Sequence, residues 1–285
     1  MMPRVAGPTV RRLRLGKELQ RLREAAGVSR HAAATAIGCS LARIGHIESG
    51  RNAPSKSDLV VLLQHLYGSD AATLQALEVL REEASKRGWW STYGLPEWLA
   101  AYVGLETDAS VLRCLDLDLI PGLLQTEGYM RRLYAVGRPR PQKEIDRRIA
   151  ARLHRQQRLR AEKDPLQLVA VVSEGALMRC TREASAGREQ LEQLISRSEL
   201  PNVDLRVLPF GAGVHVGTGP FSVLSFPDDL LPDAAHYEYA VGGHVIDDPL
   251  IVQRLSTLFS ELRERSLGAG ESRTLIAQLA ESTRD

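Results

Sequence analysis

The first 68 residues are punctuated too closely for any element longer than a few helical turns. Leu15, Leu19 and Leu22 recur at i, i+4 and i+7, which predicts a helix from Thr9 to Ala26 that Gly27 ends. Ser29 is a good N-cap for a second helix through Ile37, Ala32, Ala33 and Ala34 favour it, and Gly38 breaks it. Ser40 caps a third helix in which Ile44 and Ile47 face inward, ending at Gly50. Pro54 and Ser55 open a fourth that buries Leu59, Leu62, Leu63 and Leu66. Four short helices joined by turns this tight make a small all-α domain, residues 9–68.

Charge singles out the same segment. The chain nets only +2, yet residues 1–68 hold eleven Lys/Arg, Arg4 among them, against four Asp/Glu, or +7, which leaves 26 against 31, or −5, for the rest. A compact basic segment joined to a mildly acidic body is the footprint of a module that neutralises phosphates, although a solvated basic surface has the same composition.

The run Gly27-Val28-Ser29, Ala34, Ile37-Gly38-Cys39-Ser40, Ile44, Ile47-Glu48-Ser49-Gly50-Arg51 and Pro54 resembles the lambda-repressor/Cro-type (XRE) helix-turn-helix. The resemblance implies that the third helix enters the major groove with its first residues on base edges, while the second lies across the backbone. It places Leu41, Ala42, Arg43 and His46 toward the bases and Ser40 and Arg30 at phosphate positions, with Arg51 in the same DNA-binding set. Arg43 is the guanine reader of choice, because its planar fork matches O6 and N7. Arg30 stands where such domains usually have Gln, and Ala33 where they have a larger apolar residue. Glu48 falls near the end of the third helix, where a carboxylate opposes the dipole, and its expected partner is an arginine of the first helix.

A further helix is predicted over Ala71–Arg87, and the cluster of Trp89, Trp90 and Tyr93 ends it as a packing joint between domains. The boundary falls within 68–95, so residues 69–95 read as a helical linker and 96–285 as a regulatory, partner-binding domain. In that domain stand Leu105-Glu106, then Pro121-Gly122-Leu123-Leu124-Gln125-Thr126 followed by Tyr129, then Arg152 and Arg155-Gln156-Gln157. With Val207-Leu208-Pro209, Gly219-Pro220-Phe221, Tyr237-Glu238 and Glu271-Ser272, they resemble the large C-terminal domain behind XRE-type domains in actinobacterial regulators of the WhiJ-like group. That resemblance implies an antitoxin-like or developmental regulator whose partner is a small protein encoded nearby.

The residues by themselves predict a mixed α and β C-terminal domain, so the whole chain reads as α+β. Leu166–Val172 is an apolar, β-branched strand, and Val203–Leu208 alternates as a half-buried strand does. Phe221–Phe226 and His236–Val241 supply two more, helices fall at about 142–163, 183–198 and 248–266, and a short one follows Gly268-Ala269-Gly270. Only 200–245 reads as sheet-rich. The stretch Gln142–Lys163 holds eight Lys/Arg against three acids, which by charge is a second DNA or partner surface. Ile145, Ile149 and Leu153 at i, i+4 and i+8 favour instead a helix with that face buried and its arginines in solvent.

Cys39, Cys114 and Cys180 stand far apart with no CxxC pair, so neither a disulfide framework nor a zinc site of standard spacing is expected, and a reduced, cytoplasmic setting is. No run approaches the about 18 apolar residues of a membrane span, and none after the first arginines has signal-peptide length, so no membrane is expected as partner. His215, His236, His244, Glu238, Asp247 and Asp248 cluster late but lack HExxH spacing, and Gly211-Ala212-Gly213 and Gly217-Thr218-Gly219 match neither a P-loop nor a nucleophile elbow. No enzyme activity, metal or cofactor is expected. The expected function is a sequence-specific transcriptional regulator on double-stranded DNA, governed by a small protein partner or by a small-molecule ligand in a cavity of the C-terminal domain. One small helix-turn-helix covers too few base pairs to stand out in a genome, so a homodimer on half-sites about one DNA turn apart is expected.

Overall fold

The computed structural model describes residues 8–283 except 138, 218 and 228–230, so Arg4 and Thr218 lie outside the described residues. The described chain divides into two compact units, the first running to Ser91 and including Leu231, the second holding the remainder.

The N-terminal unit is all helix: α1 (Pro8–Ala25), α2 (Arg30–Ala36), α3 (Leu41–Glu48), α4 (Lys56–Val60) running on as a π-helical turn over Val61–Leu66, and α5 (Ala71–Ala84). Its boundaries are set by local chemistry. The Ser29, Ser40 and Ser55 hydroxyls accept from the amides of Ala32, Arg43 and Asp58, and the Asp58 carboxylate accepts in return from the Ser55 amide. Leu15, Leu19, Ile47, Leu59, Leu63 and Leu77 form one core cluster, and Ala33, Ala34, Ile44 and Leu62 a second. Each large aliphatic side chain buried this way stabilises by roughly 1.5–3 kcal/mol, which short helices need because their own hydrogen bonds do not hold them. Two glycines make the packing possible. A Cβ on Gly16 would lie 2.5 Å from the carbonyl oxygens of both Ile47 and Glu48, so α1 and α3 meet backbone to backbone there. Gly50 ends α3 at a φ of +69°, and a Cβ there would come within 2.8 Å of the Leu13 Cα.

The C-terminal unit runs α6 (Glu97–Asp108), β1 (Val111–Asp116), α7 (Glu127–Val136), α8 (Gln142–Gln156), β2 (Gln167–Ser173), α9 (Glu174–Cys180), α10 (Ala184–Ser198) and β3 (Val203–Leu208). It continues with β4 (Phe221–Ser225), β5 (Ala234–Tyr239), β6 (Gly242–Ile246), α11 (Pro249–Glu264) and α12 (Ala269–Ser282). One six-stranded sheet has the order β3-β2-β1-β4-β5-β6, parallel across β3, β2 and β1 and antiparallel from β1 through β6. The chain is therefore α+β, an all-helical unit followed by a mixed sheet with helices. The expectation that only 200–245 is sheet-rich does not hold, since β1 and β2, two inner strands of the sheet, come from earlier in the chain.

The two faces of the sheet carry different loads. Leu115, Val171, Phe221, Val223 and Ala235 pack beneath Val252, Phe259 and Leu262 of α11 as a closed apolar layer. Register aligns Ala170, Cys114, Ser222 and His236 in one row across four strands, and side chains alternate between faces along a strand. Among the described residues no helix is long and apolar enough to cross a membrane.

Candidate functional site

In the N-terminal unit, α3 buries Ile44 and Ile47 and leaves Leu41, Ala42 and Arg43 exposed, with His46 half-buried beside them. Ser40 lies exposed at its N-terminus, and Arg51 is exposed just beyond its C-terminus. Glu48 is anchored as its position demands: Arg23 of α1 donates from Nε to Oε1 at 2.5 Å, and both side chains are buried. The hydrogen bond to Glu48, with that carboxylate's charge behind it, holds the Arg23 guanidinium above its ordinary value. Arg30 also donates to Glu48, at 2.7 Å, while its side chain remains about half exposed at 49%. Arg43 donates from Nη2 to the Asp58 carboxylate at 2.8 Å, so the expected base reader starts out on a partner within its own domain.

Charge in this unit is more thoroughly paired than the sequence count implies. Arg11 bonds Glu83 and Lys56 reaches Glu78, both acids of α5, while Arg21 bonds Glu18 along α1. Among the described residues of the basic set, Arg12, Arg14, Lys17 and Arg51 make no ion pair.

In the C-terminal unit the motif residues prove to be partners of one another. Gln125 donates to the Ile120 carbonyl at 2.7 Å and accepts from Arg152, while Gln156 donates to the carbonyls of Gln125 and Gly122. From the other side Gln190 donates to the Leu124 carbonyl at 2.8 Å and accepts from the Thr126 amide at 2.7 Å. The segment 120–126 is thus an irregular, buried turn whose backbone groups are satisfied by glutamine side chains. Glu106 and Arg155 form a two-bond ion pair at 2.7 Å in each arm. Desolvation works against the Arg155 charge, Glu106 outweighs it, and the guanidinium ends above its ordinary value. Gly219 belongs to the same logic, because a Cβ there would lie 2.5 Å from the Tyr237 hydroxyl.

This framework walls a cavity of about 760 Å³. Its floor is β1, β4 and β5, presenting Cys114, Asp116, Ser222, His236 and Glu238; α6 contributes Trp98, Leu99 and Tyr102, and α8 contributes Arg148, Arg152 and Arg155. The helix α8 therefore turns a different side inward from the one its apolar spacing predicts. Ile149 is buried, but Leu153 is 37% exposed, whereas Arg155 and Gln156 are buried and Arg152 is half-buried. The physical reason is the interior it faces, which offers Glu106, Gln125 and backbone carbonyls to donors rather than an apolar wall. The imidazole of His236 stacks on Tyr102 at 4.2 Å and on Trp98 at 6.2 Å. Burial, then Arg155 and His244, pulls its pKa down to about 4, so the ring is neutral at pH 7. A Cβ on Gly243 would sit 2.6 Å from His236 Nε2 and 2.9 Å from the Trp98 ring, so the stack needs the glycine. Burial, then the Glu238 charge, pushes the Asp116 carboxyl up to about 7.

The late His/Asp/Glu group of the sequence is dispersed. His236 and Glu238 line the cavity, His244 meets the Tyr239 hydroxyl at 3.0 Å, Asp248 caps α11, and His215 has a buried Nδ1 without a hydrogen-bond partner. Among the described residues no three His, Cys, Asp or Glu gather as a metal would require. The sequence does not single out Asp116 and Arg152 as cavity charges; Arg152 stands there only as part of a motif.

A capped helical pair with an exposed second helix, set before a larger mixed domain, defines a helix-turn-helix DNA-binding regulator, and residues 14–77 match the family model for a "Helix-turn-helix domain". Residues 99–278 match the "Domain of unknown function (DUF5753)", and the chain belongs to that family. No curated protein and no solved structure matches the chain.

Proposed function

We propose that the chain is a sequence-specific transcriptional regulator of the XRE type that binds double-stranded DNA in the cytoplasm as a homodimer. Leu41, Ala42, Arg43 and His46 of α3 read bases, and Arg30, Ser40 and Arg51 meet phosphates. The observation that carries this reading is the division of α3, with Ile44 and Ile47 in the core and Leu41, Ala42 and Arg43 exposed on a capped, rigidly seated helix. A guanine offers the Arg43 fork two acceptors in place of the single Asp58 bond it makes in the free protein. The protein acts by binding, with no catalytic step and no cofactor. The resemblance of the C-terminal motifs to the WhiJ-like group supports an antitoxin-like role under a small protein encoded nearby.

The test is equilibrium binding of the full chain to duplexes selected from genomic fragments. Affinity is expected to fall steeply with salt. Arg43→Ala should cost about 1–3 kcal/mol and relax preference at one base position, while Arg30→Ala weakens all sequences nearly equally. Salt-independent binding, or loss in both variants with preference unchanged, overturns the assignment.

A second reading, control by a small molecule instead of a protein, is favoured by the cavity, whose volume of about 760 Å³ is that of a ligand pocket. Copurification of a small protein supports the first control; a thermal shift with small molecules alone supports the second.

A further inference from the structure

The charges around the cavity do not cancel where they stand. Arg155 is matched by Glu106, and Arg140 and Arg148 share Glu144 at 2.9 and 2.8 Å. Arg152 instead donates to the neutral Gln125 amide and makes no ion pair among the described residues. Asp116 and Glu238 likewise have no cation within ion-pair distance among the described residues. Two carboxyls and one guanidinium thus line the same partly enclosed space, close enough to perturb one another and too far apart to pair. Burial draws the Arg152 guanidinium below its ordinary value, and charges left in this state cost stability unless a partner arrives. The apolar part of the wall is equally specific: the Trp98, His236 and Tyr102 stack is a flat aromatic surface, kept uncharged by the neutral imidazole.

We propose that this cavity binds a small amphiphilic zwitterion about the size of a dipeptide. Its anionic group sits on Arg152, its cationic group on Asp116 and Glu238, and its apolar body against Trp98, His236 and Tyr102. The inference rests on the reading of the C-terminal domain as the sensing half of a regulator. The guest supplies both missing counter-charges at once, whereas a simple anion leaves the carboxyls unmatched and a simple cation leaves Arg152 unmatched. Carboxylate recognition suits Arg152, whose planar fork takes two oxygens together.

The test uses the full chain and three probes with one body: the dipeptide tryptophyl-leucine, its N-acetyl form and its C-terminal amide, measured by calorimetry and thermal shift. The uncapped dipeptide is expected to bind, and each cap to weaken it at least tenfold. Arg152→Gln should erase the distinction between acid and amide, and Asp116→Asn that between free and acetylated amine; Arg152→Lys, which keeps the charge, controls for folding. Failure of all three probes to bind, or equal binding of all three, overturns the proposal. Duplex binding by the same preparation is measured in parallel. Its loss sinks the regulator reading and leaves the dipeptide result standing, while intact duplex binding without dipeptide binding sinks only the cavity assignment.

Discussion

Arg23 with Glu48 in the N-terminal unit and Arg155 with Glu106 in the C-terminal unit are both buried ion pairs, but their surroundings differ. Glu48 is enclosed by two arginines, and Arg23 also donates to the Val28 carbonyl at 2.9 Å, so the carboxylate and its first partner are sealed inside a small helical core. Arg155 stands at the edge of a cavity, over the Tyr102 ring at 5.4 Å, with further charges that have no partner. The first arrangement locks α3 in place. The second holds a wall whose remaining charges stay available.

The largest expected effect separates these two pairs. Glu48→Ala removes the buried carboxylate and leaves the Arg23 guanidinium only the exposed Glu24 at 3.1 Å, which should cost about 3–5 kcal/mol, read as lost hydrogen-exchange protection of α1 and α3. Glu106→Ala should cost less, because a space of about 760 Å³ beside Arg155 admits water to the orphaned guanidinium. Equal costs, read on β1 amides for the second variant, break the comparison.

A smaller effect tests the cavity charges by pH. Asp116 has a folded pKa of about 7, against an unfolded value near 3.9, so the folded chain holds its proton across that window and loses stability as pH rises through it. His236 acts oppositely: its folded value of about 4 lies below the unfolded value near 6.5, so its contribution is lost as pH falls through that range. Asp116→Asn should therefore stabilise the protein at pH 8 by about 1–3 kcal/mol, fade to no effect near pH 4, and leave a steeper acid-side loss from His236. A denaturation series showing the same difference at both ends of the range refutes the burial of Asp116.

The smallest effect concerns Arg43. Its bond to Asp58 is an exposed ion pair worth about 0–1 kcal/mol, which DNA has to displace if Arg43 reads bases as proposed. Asp58→Asn should tighten operator binding up to severalfold and increase its salt sensitivity, as fluorescence anisotropy would show; weaker binding would mean that Asp58 positions Arg43 for reading rather than competing for it.

How much of this was legible depends on how local the cause is. The caps at Ser29, Ser40 and Ser55 and the glycines at 27, 38 and 50 encode their helix ends within a few residues, so the sequence alone places α2 and α3 to within about two residues. The strand Val203–Leu208 is equally plain, because its alternation matches one buried face. The strand β1 is hidden because Arg113 and Asp116 interrupt its apolar run, and β6 because it opens on Gly242-Gly243, where the Tyr239 ring crowds the first glycine and the Trp98 and His236 rings leave no room for a side chain at the second. The inward face of α8 was misread for the same kind of reason. Its arginines and Gln156 are buried by partners 27 to 49 residues distant in sequence, which no helical periodicity encodes.

The contact at Gly16 has a mechanical consequence. At Gly16 the backbones of α1 and α3 meet with no side chain between them, so at that point α3 cannot slide past its support by small increments of repacking. An input that changes DNA affinity then has to displace the helical unit as a rigid body. In the dimer proposed above, such an input registers as a changed tolerance for the distance between half-sites, while the preferred sequence within each half-site stays the same.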